Sequence, residues 1–591
     1  MRLIAITLAG TIAGLLGVAA TGTAAVASPA APAQAPRAAA VSPNCGPCSY
    51  VVTPTGTGSQ SLAYVLAHLV QSGDTVELTN GVYRVGELDV RAPGVTIRAE
   101  HIPAAGAAPS VWLDGSIVYR YWSHPSASIW SHPYSQDFCE TSLRNLPCTQ
   151  LSVSYHGDQM YRDGSPVPQT IHPYDLLTAN PVFYVSPSSH VVLTNVDPGT
   201  TTEMTNQETA LQFERSAVGA ALEGVGVRRY AGNDHDSHAL ASHEDSAVYV
   251  NDASNVAFRY DTFSFNSVRA LKTQGDVPAS QTPVAGAGVV VDHSVFDHNG
   301  ELAIDSVDSD NIVVSNSLLY RNNYEAFVIE PGAVKLLSTY GAQILGNQFV
   351  QNNGIGLWFD RSAYNALITH NAFTANSWHG IMFEISARAT VAYNSFNGNG
   401  HIGMFVYESS NISFSHNLMI GNLEGIKVQE GHRTLANFPS GRDSDPDRHM
   451  PSAITFNVSA IDIHANGFYY YPAHSNGEVC DPNPAAMPTA AEPDPYDGCQ
   501  YMIVGQDNYS GAEPNTLGIK AVDDHYHLRN WPGNPTGAAV PVFTALWKAP
   551  ASAFSSHGGC VGGESGTVFY RWITLRDFQC TGQESGGSNP F

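Results

Sequence analysis

Residues 347–420 read NQFVQNNGIGLWFDRSAYNALITHNAFTANSWHGIMFEISARATVAYNSFNGNGHIGMFVYESSNISFSHNLMI, and asparagines return in this stretch at a fixed phase. Asn347, Asn371, Asn394 and Asn417 each open a short run with an apolar centre, at intervals of 24, 23 and 23 residues. A repeat of this length, built from short β-like runs separated by turns, describes a solenoid whose stacked coils bury one continuous core. Asparagine at a tight turn tolerates left-handed backbone and can hydrogen-bond along the stack. Working outward, Asn316 (NSLL), His293 (HSVF) and Asp261 (DTFS) are assigned the same place in earlier, longer coils. The expected fold class is therefore all-β: a right-handed parallel β-helix, with its main coils over 206–435.

On either side the pattern changes. Residues 1–27 place Arg2 before an apolar, Gly-broken stretch that ends in Ala25-Val26-Ala27, the layout of a secretory signal peptide. Residues 28–48 are an Ala/Pro-rich linker. Over 49–115, Leu62, Val65, Leu66 and Leu69 recur at helical spacing and are followed by three β-like runs, as expected of a capping helix and the first coils. Residues 116–205 break the repeat with strand-like segments around Trp122 and Trp130, and read as an inserted β-rich module. Residues 436–591 lose the period and read as an irregular, disulfide-bonded C-terminal extension.

The eight cysteines all follow the signal segment, an even count that in an exported chain implies disulfides. Local pairs Cys139–Cys148, Cys480–Cys499 and Cys560–Cys580 are expected because short loops close readily, and Cys45–Cys48 is a fourth. Net charge is −25, from 27 basic and 52 acidic residues, which repels nucleic acid, anionic lipid and free polyuronates. No nucleic acid and, after signal cleavage, no membrane is therefore expected as a partner of this chain, read as an extracellular monomer.

Strand alternation tells which side chains leave the core. Aligning GLWFD (356–360), GIMFE (380–384) and GMFVY (403–407) sends Leu357, Phe359, Ile381 and Phe383 inward. Trp358 and Asp360 then match Met382 and Glu384 as outward residues, with Tyr407 next in line. The same phase carried backwards puts Asp305, Gln274 and Asn251 in the Asp360 column, and Gln429 extends it forward. Lys272, Lys335 and Lys427 fall in the neighbouring column. Coils stack about 4.8 Å apart, so Asp360 and Glu384 are expected about 5 Å apart, the separation of a retaining glycosidase pair. Asp305 and Asp360, two coils apart at about 9.6 Å, approach the inverting range. The apolar flanks of both carboxylates predict a raised pKa for one of them. Trp358, Trp378, His379 and Tyr407 supply faces for sugar stacking, while Gln274, Asn251 and Lys335 supply hydrogen bonds. A plain solvated strand face is the alternative for the whole stripe.

At these residues the sequence resembles known families. The G-[LI]-W-x-D strand followed one coil later by F-E resembles the motif of glycoside hydrolase family 120, the β-helix β-xylosidases. That resemblance implies Asp360 as nucleophile and Glu384 as acid/base. The early β-rich module is similar to that of β-helix glycosidases of families 110 and 141. Residues 50–430 as a whole resemble secreted actinobacterial right-handed parallel β-helix repeat proteins, which fixes no substrate.

A retaining glycoside hydrolase acting on a neutral glycan without a cofactor is accordingly the leading expectation. Asp305, Asp308 and Asp310 in DSVDSDN carry an alternative, a Ca²⁺-dependent lyase or epimerase of uronates with Lys335 or Lys272 as base. A glycan-binding solenoid without catalysis is a third reading. His235, His238 and His243 lie among acids in NDHDSHALASHED (233–245) but match no zinc-ligand spacing and read as a polar loop.

Overall fold

The computed structural model describes residues 47–126, 128–136, 138, 152–186, 188–232, 246–275, 288–327, 332–434, 436–437, 456–470, 501–507, 516–528, 545–547, 570–572, 578–579 and 583–584. Within Asn44–Phe591 the chain winds through three sheets in turn, so that each coil adds one parallel strand to each. Among the described residues the first sheet runs from Ser49–Val52 to Ile519–Val522 in thirteen strands. The second runs from Gly81–Tyr83 to His525–Leu528 in twelve. The third starts at Leu88–Val90 and reaches Ala545–Trp547 before an antiparallel partner, Tyr570–Trp572, closes it at thirteen. This is a parallel β-helix, as the repeat requires.

Its interior is ordered by stacking like on like. Phe349, Phe373 and Phe396 lie in register with ring centroids 4.6 and 4.9 Å apart, and Phe359 stacks on Phe383 at 4.9 Å. Leu357, Phe359, Ile381 and Phe383 are buried in this core, pointing inward as the alternation demands. At the corner between the first and second sheets the asparagines form a ladder. The side-chain amide of Asn347 donates to Asn371, Asn371 to Asn394, Asn394 to Asn417 and Asn417 to Asn466, each at 3.0 Å. Asp524 ends it, accepting from Asn466 at 3.0 Å. Asn316 and His293 are not on this ladder. They occupy the left-handed corner residue just before it, at φ 50° each, and Ser317 and Ser294 take the ladder position. Asparagine suits both the corner and the ladder, so the one-residue offset is invisible in composition. A second ladder, Asn266, Asn299, Asn322, Asn352, Asn376, Asn399 and Asn422, links the far end of the second sheet at 2.8–3.0 Å per step.

Before the first coil, Leu62–Tyr64 begins a short helix capped by the Ser61 hydroxyl, and Val65–Leu69 continues it with a wider turn. Leu62 and Val65 are buried, with Leu66 and Leu69 packed against the core end. After Val111–Asp114 the chain leaves the coils, builds two four-stranded antiparallel sheets from strands between Ser116 and Thr205, and rejoins the third sheet at Leu211–Phe213. Met160, Phe183, Val192 and Met204 fill the core of this module. Past residue 435 the coils continue: Ser459–His464, Gly467–Tyr470 and Tyr501–Asp507 each join their sheet. The period fades there because the segments between strands lengthen, so that Asn417 and Asn466 are neighbours on the ladder although 49 residues apart. Cys48 is the one described cysteine, and it is disulfide-bonded. The other cysteines, residues 1–46 and the His235, His238 and His243 segment lie outside the described residues. Among the described residues no helix is long and apolar enough to cross a membrane.

Candidate active site

The third sheet fixes which residues share a column. Its register pairs Asn251 with Gln274, Gln274 with Val307, Val307 with Leu337 and Leu337 with Asp360. Phe359 pairs with Phe383, which sets Asp360 beside Glu384; Glu384 pairs with Tyr407, and Tyr407 with Gln429. The adjacent outward column runs Tyr249, Lys272, Asp305, Lys335, Trp358, Met382, Phe405 and Lys427. Asp305 thus belongs with Lys335 and Trp358 and not with Asp360, which corrects the sequence alignment. The error is a two-residue slip, and because side chains repeat every second residue it leaves inward and outward unchanged. Gln274 and Asn251 do share the Asp360 column. They sit three and four rungs away, about 14 and 19 Å at the strand spacing, beyond the reach of a sugar ring held at Asp360.

Asp360 and Glu384 project from the C-terminal ends of Ile355–Asp360 and Ile381–Glu384. Each carboxylate has its own cation. Lys335 Nζ lies 3.3 Å from Asp360 Oδ2 and 4.2 Å from the centre of the Trp358 ring, so one ammonium is shared by a carboxylate and an aromatic face. Arg433 Nη1 donates to Glu384 Oε1 at 2.5 Å, its Nε bonds Glu408 Oε2, and its guanidinium covers the Tyr407 ring at 4.5 Å. Glu384 is pushed up from the ordinary glutamate value, first by burial and then by the Asp360 charge, with Arg433 and Lys335 opposing. The raised acid foreseen from the apolar flanks is therefore Glu384.

The face is also less accessible than expected. Outward side chains on a solvated strand face would be exposed, whereas Asp360 is 7% exposed, Lys335 is 3% exposed, and Asp305, Met382 and Lys427 are buried as well. Alternation shows that a residue leaves the core; it cannot show what covers it. Asp305 pairs with Arg269 Nε at 3.0 Å, and Arg269 also meets Glu301 at 3.1 Å. Asp310 accepts from the Tyr340 backbone N–H at 3.0 Å, and Asp308 occupies a left-handed turn. Among the described residues no group of three or more His, Cys, Asp or Glu is placed to hold a metal ion.

His379 and Trp378 lie at the other end of the strand that carries Glu384. His379 packs against Phe405 and His401 at 5.3 and 5.8 Å, and burial, His401 and Lys427 push its pKa down to about 3, so it is neutral near pH 7. Trp378 is 41% exposed and lies parallel to His401 at 6.2 Å. Five residue steps separate His379 from Glu384, about 16 Å in extended chain, so these two line a different part of the face from Trp358 and Tyr407. Arg433 and Glu408 are the residues that the sequence reading missed. Arg433 comes from beyond the last aligned strand and carries no repeat signal, although Glu408 directly follows Tyr407 in the aligned run.

Comparison with known proteins agrees with this architecture. The family model for the right handed beta helix region matches residues 329–439. No curated protein sequence matches the chain significantly. Among solved structures, the complex of XylC with xylose superposes with a TM-score of 0.59 at 14% identity, covering 85% of this chain and 90% of that one. The mannuronan C-5 epimerase AlgE6 A-module of Azotobacter vinelandii gives 0.42 at 12% identity, covering 77% and 85%. The GH136 lacto-N-biosidase from Eubacterium ramulus gives 0.38 at 13%, covering 72% and 68%. The likeness to XylC shows the fold, which is a right-handed parallel β-helix.

Proposed function

We propose that this chain is an exported glycoside hydrolase that cleaves a neutral glycan with retention of configuration, Asp360 acting as nucleophile and Glu384 as acid/base. The observation that carries the reading is two outward carboxylates on adjacent rungs of one column, one held beside an ammonium and the other raised by burial and by its neighbour's charge. In the first step the Asp360 carboxylate attacks the anomeric carbon, the glycosidic C–O bond breaks, and the Glu384 proton goes to the leaving oxygen. Lys335 is the counter-charge of Asp360 and, with Trp358, forms a wall against the bound ring. The similarity to the family 120 motif and to XylC, a protein solved with xylose, makes pentosides the first substrates to try.

Aryl glycosides of graded leaving-group ability test the assignment. Asp360→Asn should lose turnover on all of them. Glu384→Gln should lose about 10²–10⁴-fold on poor leaving groups and far less on activated ones, which need no proton. Uniform loss across the series, or turnover intact in both variants, contradicts the assignment.

A further inference from the structure

The segment Glu430-Gly431-His432-Arg433 ends the strand Glu424–Glu430 and turns back over the third sheet. A side chain at Gly431 would meet the Glu408 carboxylate and the Tyr407 hydroxyl and force them to shift, so glycine suits this close approach of the chain. The turn is then tied down. Thr434 N–H donates to Asn437 Oδ1 at 2.6 Å, and the Asn437 side-chain amide donates to the His432 carbonyl at 2.7 Å. Glu408, fully buried, accepts both the Arg433 backbone N–H at 2.9 Å and its Nε. Held at two points, the guanidinium has its Nη1 aimed at Glu384. This is a built contact between an added strap and the proposed acid/base.

Resting on the glycosidase reading above, we propose that Arg433 is a positioning residue that prepares Glu384 to act as base in the second half of the reaction. The charged groups facing Glu384 are Asp360 from one neighbouring strand, Lys335 one rung further, and Arg433 from the strap, with Tyr407 on the other side and Glu408 and Glu430 behind it. In the free enzyme the Asp360 charge opposes ionisation of Glu384, and the acid form is available for the first step. Once Asp360 carries the sugar as an ester its charge is gone, and the cations dominate what Glu384 feels. Glu384 then ionises and takes a proton from water as the water oxygen attacks the anomeric carbon. The bond to Asp360 breaks with its electron pair returning to that carboxylate, which restores the starting state. Glu408 anchors the guanidinium without touching substrate.

A substrate-free measurement and a kinetic one test this together. Infrared titration of the carboxyl band, with Glu384→Gln identifying the Glu384 signal, should show its midpoint rising by about 1–3 units in Arg433→Met. Arg433→Lys should restore part of the shift, and Glu408→Gln, which keeps the arginine but loosens its anchor, should give an intermediate rise without requiring loss of the buried cation. With activated aryl glycosides, Arg433→Met should lower kcat more than kcat/KM and accumulate glycosyl-enzyme in a burst, because only the second step needs the base. An unchanged midpoint, or equal losses in kcat and kcat/KM, in an enzyme that turns over glycosides overturns the role of Arg433 alone. A shifted midpoint with no glycoside turned over by the wild type overturns the hydrolase reading, and the role with it.

Discussion

Two strands of one coil, Ile355–Asp360 and Tyr364–Thr369, follow the same alternation and lead opposite lives. In Tyr364–Thr369 the inward residues Ala366 and Ile368 join the core, and the outward residues Asn365 and Leu367 are exposed, Leu367 at 39%. The next rungs of that first sheet repeat the pattern with Arg388 and Asn411 exposed to solvent. In Ile355–Asp360 the outward Asp360 is buried and ion-paired, and its neighbours repeat that pattern as Glu384 with Arg433 and Lys427 with Glu424, the latter 3.4 Å apart. Burying charges costs desolvation that the pairing offsets only in part, and hydrophobic replacements of similar volume are often as stable. A solenoid needs no such pairs to fold, as its first sheet demonstrates. Buried pairs also occur at Asp114 with Arg228 and Arg229 beside the second sheet. On the third, however, they recur from Asp305 with Arg269 to Lys427 with Glu424, and that recurrence points to chemistry as the reason for them.

The contrast can be broken most sharply through activity. Asp360→Asn should abolish glycoside turnover by several orders of magnitude, while Asn365→Ala, from the first sheet of the same coil, should leave it unchanged; assays of the two side by side decide. Stability comes next. Asp360→Ala removes the carboxylate that Lys335 meets at 3.3 Å and should cost about 3–5 kcal/mol in denaturant melts, against less than about 0.5 kcal/mol for Asn365→Ala. If both cost little, the third sheet is as solvated as the first and the argument from buried charge falls.

A smaller effect lies where the inserted module meets the coils. Glu325, half-buried with Gln159 donating to it at 3.3 Å, is raised by burial to about 7 from 4.5. The unfolded chain gives up that proton at lower pH than the folded one, so stability falls as pH rises from about 4.5 through about 7. Glu325→Gln should flatten that fall, recovering about 3 kcal/mol above the window and nothing below it. Melts across pH 4 to 8 check the sign. Smaller again, Asn376→Ala leaves its ladder neighbours Asn352 and Asn399 without a partner on one side and should cost about 1–3 kcal/mol.

The parts of this account differ in how far the sequence showed them. Asn347, Asn371, Asn394 and Asn417 announce the coils because a ladder needs the same amide at every rung, and an amide is easy to see. The second ladder, five residues on at Asn352, Asn376, Asn399 and Asn422, carried the same signal and was overlooked among polar turn residues. Asp360 and Glu384 were legible because GLWFD and GIMFE align without a gap. Asp305 was misplaced because the longer coil between Asp305 and Lys335 allows a slip of two, and a slip of two keeps every side chain on its own face. The arrival of Arg433 depends on a segment 49 residues away from Glu384 in sequence, which no local pattern encodes.

The central claim is that Asp360 and Glu384 act as a nucleophile and acid/base pair one rung apart, and the configuration of the first product reports on it directly. Proton NMR during hydrolysis of the best glycoside from a panel led by pentosides should show the retained anomer forming first, with the other appearing only by mutarotation. An inverted first product would mean that water attacks directly, which two carboxylates on adjacent rungs do not leave room for, and would contradict the account.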